Sequence, residues 1–157
     1  GLAEERRPAV DGARQQWGDL LDRSAAAAKG AGAGGGVGFA LLLLGAQRVS
    51  GVTTIADAID LSQRLKGADL VITGEGSFDF SSRAGKVPYG VAELAGQALL
   101  PCVVMAGQVV IGSREMRALG VEAAYSMVEL VGETNSYGQA GSSLEQLASR
   151  IARNWSR

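Results

Sequence analysis

Asp69-Leu70-Val71-Ile72-Thr73-Gly74-Glu75-Gly76-Ser77-Phe78-Asp79-Phe80-Ser81-Ser82-Arg83-Ala84-Gly85-Lys86-Val87-Pro88-Tyr89-Gly90-Val91-Ala92 is the stretch whose reading decides the fold. The run Leu70-Val71-Ile72 is short and does not alternate with polar residues, the pattern of a parallel strand buried on both faces. Gly74-Glu75-Gly76 reads as the point where that strand breaks into a polar loop. Pro88, placed as a first-turn proline, then opens an apolar-periodic segment that predicts a helix over 88–99. Ligands of open α/β sheets bind outside the carboxyl ends of the strands. Glu75, Asp79, Ser81, Ser82 and Lys86, all just past such an end, are therefore the candidate site.

The alternation continues downstream. A strand is expected over Cys102–Ala106, a helix over Ser113–Leu119 capped by Ser113 and stopped by Gly120, and a third strand over Glu122–Met127. Residues Gly132 to Gly141 read as a polar loop, and Ser142 with Glu145 as a capping box. That box would open a last helix with Leu144, Leu147, Ile151 and Trp155 on its buried stripe. From residue 67 to 157 the fold class is α/β, a parallel helix-covered sheet of Rossmann-like, three-layer form.

Upstream the pattern differs. Residues 9–29 predict one amphipathic helix carrying Trp17, Leu20, Leu21 and Ser24, ended by Gly30. A glycine run from Gly30 to Gly38 precedes an apolar helix over 37–44, and a second amphipathic helix is expected over Thr54–Lys66 with Ile55, Ile59 and Leu65 on one side. Residues 1–66 are thus assigned to part of a second, glycine-rich α/β domain, and 67–157 to the Rossmann-like one. The chain opens Gly1-Leu2-Ala3 with neither an initiator Met nor a signal pattern, so we expect it to start inside a longer parent.

Composition narrows the chemistry. The chain has 15 basic and 16 acidic residues, a balance without the basic footprint of a nucleic-acid binder. Its longest apolar run, Val37 to Ala46, is too short to span a bilayer. One cysteine, Cys102, allows no disulfide within the chain and fits a reducing compartment. With no histidine, neither a His-based triad nor a His-ligated zinc site can be built from this chain alone. Acid–base or metal chemistry must use Asp, Glu, Lys, Ser or Thr, and carboxylates suit Mg²⁺ best.

Within the loop, Glu75 and Asp79 could hold a metal, position a hydroxyl or accept a proton, and Lys86 at a helix start could attract phosphate. Gly74 and Gly76 would let a ligand approach the backbone. Gly85-Lys86 is followed by Val87, so this is no P-loop; taken singly, Ser81 and Lys86 read equally well as solvated loop residues. The run Gly30-Ala31-Gly32-Ala33-Gly34-Gly35 matches the dinucleotide fingerprint only formally, because no strand precedes it. It reads either as close backbone packing or as an anion-binding loop, and a Rossmann-type oxidoreductase has no other support.

Gly74-Glu75-Gly76-Ser77-Phe78-Asp79, with Gly85-Lys86-Val87-Pro88 and Gly90-Val91-Ala92, resembles the signature region of the type 1 glycerate kinase family, here its C-terminal portion. The run Gly32-Ala33-Gly34-Gly35-Gly36-Val37-Gly38 is similar to that family's other glycine-rich segment, at a similar spacing, and the likeness covers nearly the whole chain. Where this chain has Ser77 the family usually has Arg, and where it has Ser81-Ser82 often Gln-Thr or Gln-Ser. The resemblance implies ATP-dependent phosphorylation of D-glycerate with Mg²⁺ in the cytoplasm, by a protein about twice this length with its site between two domains. Carried over by position, Glu75, Asp79 and Lys86 would be catalytic, with Glu75 and Asp79 on Mg²⁺. Ser81, Ser82, Gly74, Gly76, Gly32, Gly34, Gly35 and Gly36 would bind substrate or nucleotide. The expected partners are glycerate and the missing N-terminal half of the protein. A rival reading is a non-catalytic fragment or a module binding a nucleotide or an acid.

Overall fold

The structure, a computed structural model, describes residues 3–81 and 85–156. It divides into two compact units, Gly1–Val49 and Ser50–Arg157. The boundary expected at residue 66 thus lies inside the second unit, because Leu61 and Leu65 pack into the core on one face of the sheet.

In the first unit the described residues form helices and turns and no strand. Helix α1 spans Arg7–Leu21 and α2 spans Arg23–Ala27. The single helix read over 9–29 breaks at Asp22, whose backbone is extended and whose carboxylate accepts the Ala25 N–H at 3.0 Å. A side-chain acceptor there satisfies a donor that the new helix leaves unpaired. The close contact between α1 and α2 is made at Gly18, where an added Cβ would lie 2.6 Å from Ala26 Cβ. Trp17, Leu20 and Leu21, read as the periodic residues of an amphipathic helix, are exposed. Helix α3, Val37–Leu43, follows a turn in which Gly34, Gly35 and Gly36 all have positive φ.

The second unit begins with α4, Gly51–Ala58, capped by Ser50, and α5, Leu61–Leu65. The helix expected over 54–66 is divided by Asp60, which sits at φ 51°. Strand β1 then runs Val71–Phe78, followed by α6, Val87–Gln97, and β2, Cys102–Val109. Beyond β2 come α7, Ser113–Ala118, and β3, Ala123–Ser126. Three helices close the chain: α8, Met127–Val131; α9, Glu133–Gly138; and α10, Ala140–Trp155.

The strands form a parallel sheet in the order β1-β2-β3, with Val71 opposite Cys102 and Val103 opposite Ala123. Parallel neighbours need crossovers, which α6 and α7 supply. One face packs Val71, Cys102, Val104 and Ala106 against Ala92 and Ala95 of α6 and Leu119 after α7. On the other face Val103 is covered by Leu147 and Ile151 of α10. The α/β fold with a parallel, helix-covered sheet is therefore as expected, and Leu147 and Ile151 are the buried stripe of the last helix.

Several local expectations change. The strand does not break at Gly74 but continues through Glu75 to Phe78, because β2 pairs with it along that length. An added Cβ on Gly74 would lie 2.4 Å from the Met105 carbonyl oxygen, so glycine is what lets the two backbones pass. The cap of α7 is Gly112, not the side chain of Ser113. Residues 132–141, read as a loop, contain α9, held by a hydrogen bond from the buried Ser143 hydroxyl to the Asn135 carbonyl at 3.1 Å. Helix α10 starts at Ala140, so Ser142 lies inside it, donating to the Gln139 carbonyl rather than capping. Leu144 is largely exposed.

Two measurements check this packing. Gly74→Ala is expected to lower stability by roughly 1–3 kcal/mol in urea denaturation, the usual cost of overpacking. The Cys102 thiol, buried and pushed up to about 11 by desolvation, is expected to stay unmodified by a thiol reagent at pH 8 in the native protein and to react fully after unfolding.

Candidate functional site

Strand β1 delivers its carboxyl end to the start of α6. Glu75, in the strand opposite Ala106, is partly buried, and Asp79 follows directly after the strand. Lys86 is the residue on which α6 begins, with extended backbone and Pro88 in the first turn. Its ammonium stands between two carboxylates, 3.8 Å from Glu75 Oε2 and 3.7 Å from Asp79 Oδ1. These are long ion pairs.

Asp79 is further held by its own loop. Its Oδ1 accepts the Ser81 N–H at 2.7 Å and the Ser81 hydroxyl at 2.5 Å, and its Oδ2 accepts the Ser77 hydroxyl at 3.3 Å. The two hydrogen bonds from Ser81 are the main reason its pKa is lowered from the usual 3.8; the Lys86 charge and the Ser77 hydroxyl act in the same direction, while burial opposes. Ser77 in turn accepts a hydrogen bond from Gln108 Nε2 at 3.1 Å, across the strands from β2. Gln108 was not among the residues singled out in the sequence. Its only signal was its place at the carboxyl end of the second predicted strand, just after Ala106-Gly107.

The structure thus brings together Glu75, Asp79, Ser81 and Lys86, and adds Ser77 and Gln108. Ser82 lies outside the described residues. Gly74 faces the Met105 carbonyl and is explained by strand pairing, whereas around Gly76 an added Cβ would meet nothing within 4 Å. Beside Glu75 and Lys86 runs an apolar cleft of about 660 Å³ whose walls include Val52 and Ile55 of α4 and Val87 and Val91 of α6.

Gly32, Gly34, Gly35 and Gly36 belong to the first unit. There Gly32, Gly35 and Gly36 border a cleft of about 1030 Å³ together with Arg14, Trp17 and Phe39. The position of a Cβ on Gly35 is 3.7 Å from an Arg14 guanidinium nitrogen, so a cation borders the glycine turn. Among the described residues no group of three or more His, Cys, Asp or Glu is placed to hold a metal ion by itself. Two hard carboxylates are nevertheless a donor set that Mg²⁺ accepts when substrate phosphates and water complete its shell. No helix among the described residues is long and apolar enough to cross a membrane.

Fold and cluster together define a class: a parallel α/β module carrying a lysine–carboxylate site at the carboxyl end of its edge strand. The glycerate kinase family model matches residues 1–156, and the chain belongs to that family. A Mycobacterium bovis protein of uncharacterised function is 36% identical over 148 residues, 91% of this chain and 39% of its own length. Glycerate 2-kinase of Escherichia coli is 38% identical over 114 residues, 73% of this chain and 29% of that enzyme. A crystal structure assigned as glycerate kinase 2 of Salmonella typhimurium LT2 superposes with a TM-score of 0.58 at 31% identity, covering 98% of this chain and 42% of that one. The chain therefore spans well under half the length of these relatives.

The hydrogen bonds from Ser81 set the expected titration. Because the folded pKa of Asp79 is lowered, its contribution to stability is present above the ordinary value of 3.8 and is lost as pH falls through the lower, folded value. Ser81→Ala is expected to move the Asp79 midpoint upward in a carboxyl-carbon NMR titration; an unchanged or lower midpoint would contradict the assignment.

Proposed function

We propose that this chain is part of a kinase transferring a phosphoryl group from ATP to a hydroxyl of D-glycerate in the cytoplasm. The observation that carries the reading is the Lys86 ammonium held between Glu75 and Asp79 at the carboxyl end of β1, in a chain that belongs to the glycerate kinase family. Phosphoryl transfer asks chiefly for positioning and for charge that meets the transferred group, not for covalent chemistry by the protein.

In this reading Lys86 turns from its carboxylates to the phosphate oxygens, while Glu75 and Asp79 hold Mg²⁺. When bound, Mg²⁺ neutralises phosphate charge and orients the transferring group. Asp79 stays ionised well into acid, which suits holding a cation better than taking a proton at neutral pH, where an efficient base has its pKa. Ser81, through its two bonds to Asp79, keeps that carboxylate oriented, and Ser77 with Gln108 does so from the strand side. Gly76 leaves room for the acceptor to approach, Gly74 keeps the strands together, and Ser82 contributes a hydroxyl to substrate. Gly32, Gly34, Gly35 and Gly36 contribute backbone contacts to the nucleotide, supported by the cleft that Gly32, Gly35 and Gly36 border with Arg14.

A second reading is favoured by the fraction of its relatives that the chain spans: a module that binds a nucleotide or an acid without turning it over. Calorimetry with ATP–Mg²⁺ and with D-glycerate, beside a ³¹P NMR assay of transfer, separates the two. In the protein carrying this chain, Lys86→Met and Glu75→Gln are each expected to lower transfer by roughly 100-fold or more, the scale of losing a preorganised charge contact. Rates within threefold of the parent for both would remove the cluster from the reaction. Binding without transfer would leave the second reading standing.

A further inference from the structure

Trp17 is left in water by the way its helix packs. Tryptophan is highly buried on average, yet this side chain is 66% exposed. Helix α1 meets α2 through the next residue, Gly18, where an added Cβ would lie 2.6 Å from Ala26 Cβ. Trp17 instead borders the cleft of about 1030 Å³ in the first unit, and Phe39 and Leu43 of α3 add apolar wall to it. A cleft of that volume is at the upper end of the range for small-molecule sites.

The same cleft is cationic beside its glycines. Its charged borders are Arg6, Arg14 and Arg23 against Asp11 and Asp19. Arg23 and Asp19 pair with each other at 3.6 Å, so the remaining balance of Arg6, Arg14 and Asp11 is positive. Arg14 lies three residues before Trp17, which puts the two on one face of α1. Its guanidinium reaches the glycine turn, 3.7 Å from where a Cβ on Gly35 would sit. Gly35 and Gly36 hold φ of 71° and 111°, and an added Cβ on Gly32 or Gly36 would meet nothing within 4 Å. Bare backbone of this kind lets a polyanion approach closely.

We propose that this cleft seats a nucleoside triphosphate, with Trp17 stacked on the base and Arg14 holding phosphate oxygens over the Gly35-Gly36 turn. The assignment rests on the proposed use of ATP and deepens it, because it gives the base a contact from a helix outside the glycine run. Free phosphate would use Arg14 and the glycines but neither Trp17 nor Phe39, and an apolar partner would bury Arg14 without a counter-charge. A nucleotide offers a flat π face and a polyanion in one molecule, which matches both halves of the cleft. Stacking tolerates any base, since each presents a π face. The site therefore separates nucleotides from free phosphates and does not separate ATP from GTP.

The test follows Trp17 directly in the 157-residue chain. The chain has two tryptophans, and Trp155→Phe, which removes the one hydrogen-bonded to Tyr125 in the second unit, leaves Trp17 as the sole indole. MgATP and MgGTP are each expected to quench its emission saturably, and inorganic tripolyphosphate to bind without quenching. In calorimetry Trp17→Ala is expected to weaken MgATP about fivefold or more, the lower bound for losing one base stack, with tripolyphosphate unchanged and Trp17→Phe close to the parent. Arg14→Gln is expected to weaken both ligands roughly tenfold, the scale of a hydrogen bond to a charged group. Leu20→Ala, at an exposed position of α1 that does not border the cleft, binds like the parent. Circular dichroism verifies folding, and if Trp155→Phe unfolds, calorimetry on Trp17→Ala decides. MgATP binding that Trp17→Ala leaves unchanged overturns the proposal while the use of ATP stands. Quenching by tripolyphosphate equal to that by MgATP overturns the stacking, and absence of MgATP binding to the chain overturns both the proposal and the nucleotide role of its glycines.

Discussion

The second unit depends on one close approach, the passage of β1 against β2 where neither backbone can carry a side chain. At Gly74 an added methyl group would sit 2.4 Å from the Met105 carbonyl oxygen, and at Gly107 one would sit 2.6 Å from the carbonyl oxygen of Gly76. Two glycines on facing strands let parallel pairing persist from Val71 to Phe78 instead of ending after the apolar run. That persistence sets Glu75 opposite Ala106 and Ser77 opposite Gln108 on β2 and leaves Asp79 just past the strand. A strand ending at Thr73 would release those residues into a flexible loop, and their geometry would no longer be set by the sheet.

The cluster built there is economical in charge. Lys86 lies between two carboxylates, so the ammonium is neutralised while the carboxylates are kept from repelling each other. Both ion pairs are near the limit of contact, and the lysine side chain is 40% exposed. Such pairs contribute little to stability, which makes the cluster easier to account for as chemistry than as a structural clamp. The firmer interactions are the hydrogen bonds on Asp79 from Ser81 and Ser77, which orient the carboxylate independently of the lysine. In this chain two short hydroxyls and Gln108 hold Asp79 in place.

Much of the architecture was legible in the chain itself, and the failures have a common cause. The three strands and the helix after Pro88 follow from apolar runs alternating with periodic segments, a signal that depends only on burial. Helix interruptions at Asp22 and Asp60 were missed because each breaks the backbone without breaking the hydrophobic period. Helix α9 was hidden by residues that favour turns, Gly132, Asn135, Ser136 and Gly138, and it exists because Ser143 of α10 satisfies its Asn135 carbonyl. Gly74-Glu75-Gly76 was read as a strand end because glycine weakens an isolated strand; opposite another backbone, the same residues are what allow it to continue.

By itself the sequence determined the α/β class, the absence of histidine chemistry, the lack of a disulfide within the chain, and the placing of Glu75, Asp79, Ser81 and Lys86 near one strand end. These depend on composition and on neighbours within a few residues, which a linear chain displays. Only the tertiary structure decided that Lys86 stands between Glu75 and Asp79, that Gln108 reaches Ser77 across 31 residues of sequence, and that Ile72 is left open while its register partner Val103 is sealed. Those facts arise from strand register and from which face α10 covers, and both are fixed by contacts between distant segments. Hence the stretch from Asp69 to Ala92 could be singled out as the candidate site in advance, while the extension of its strand and the open edge beside it could not.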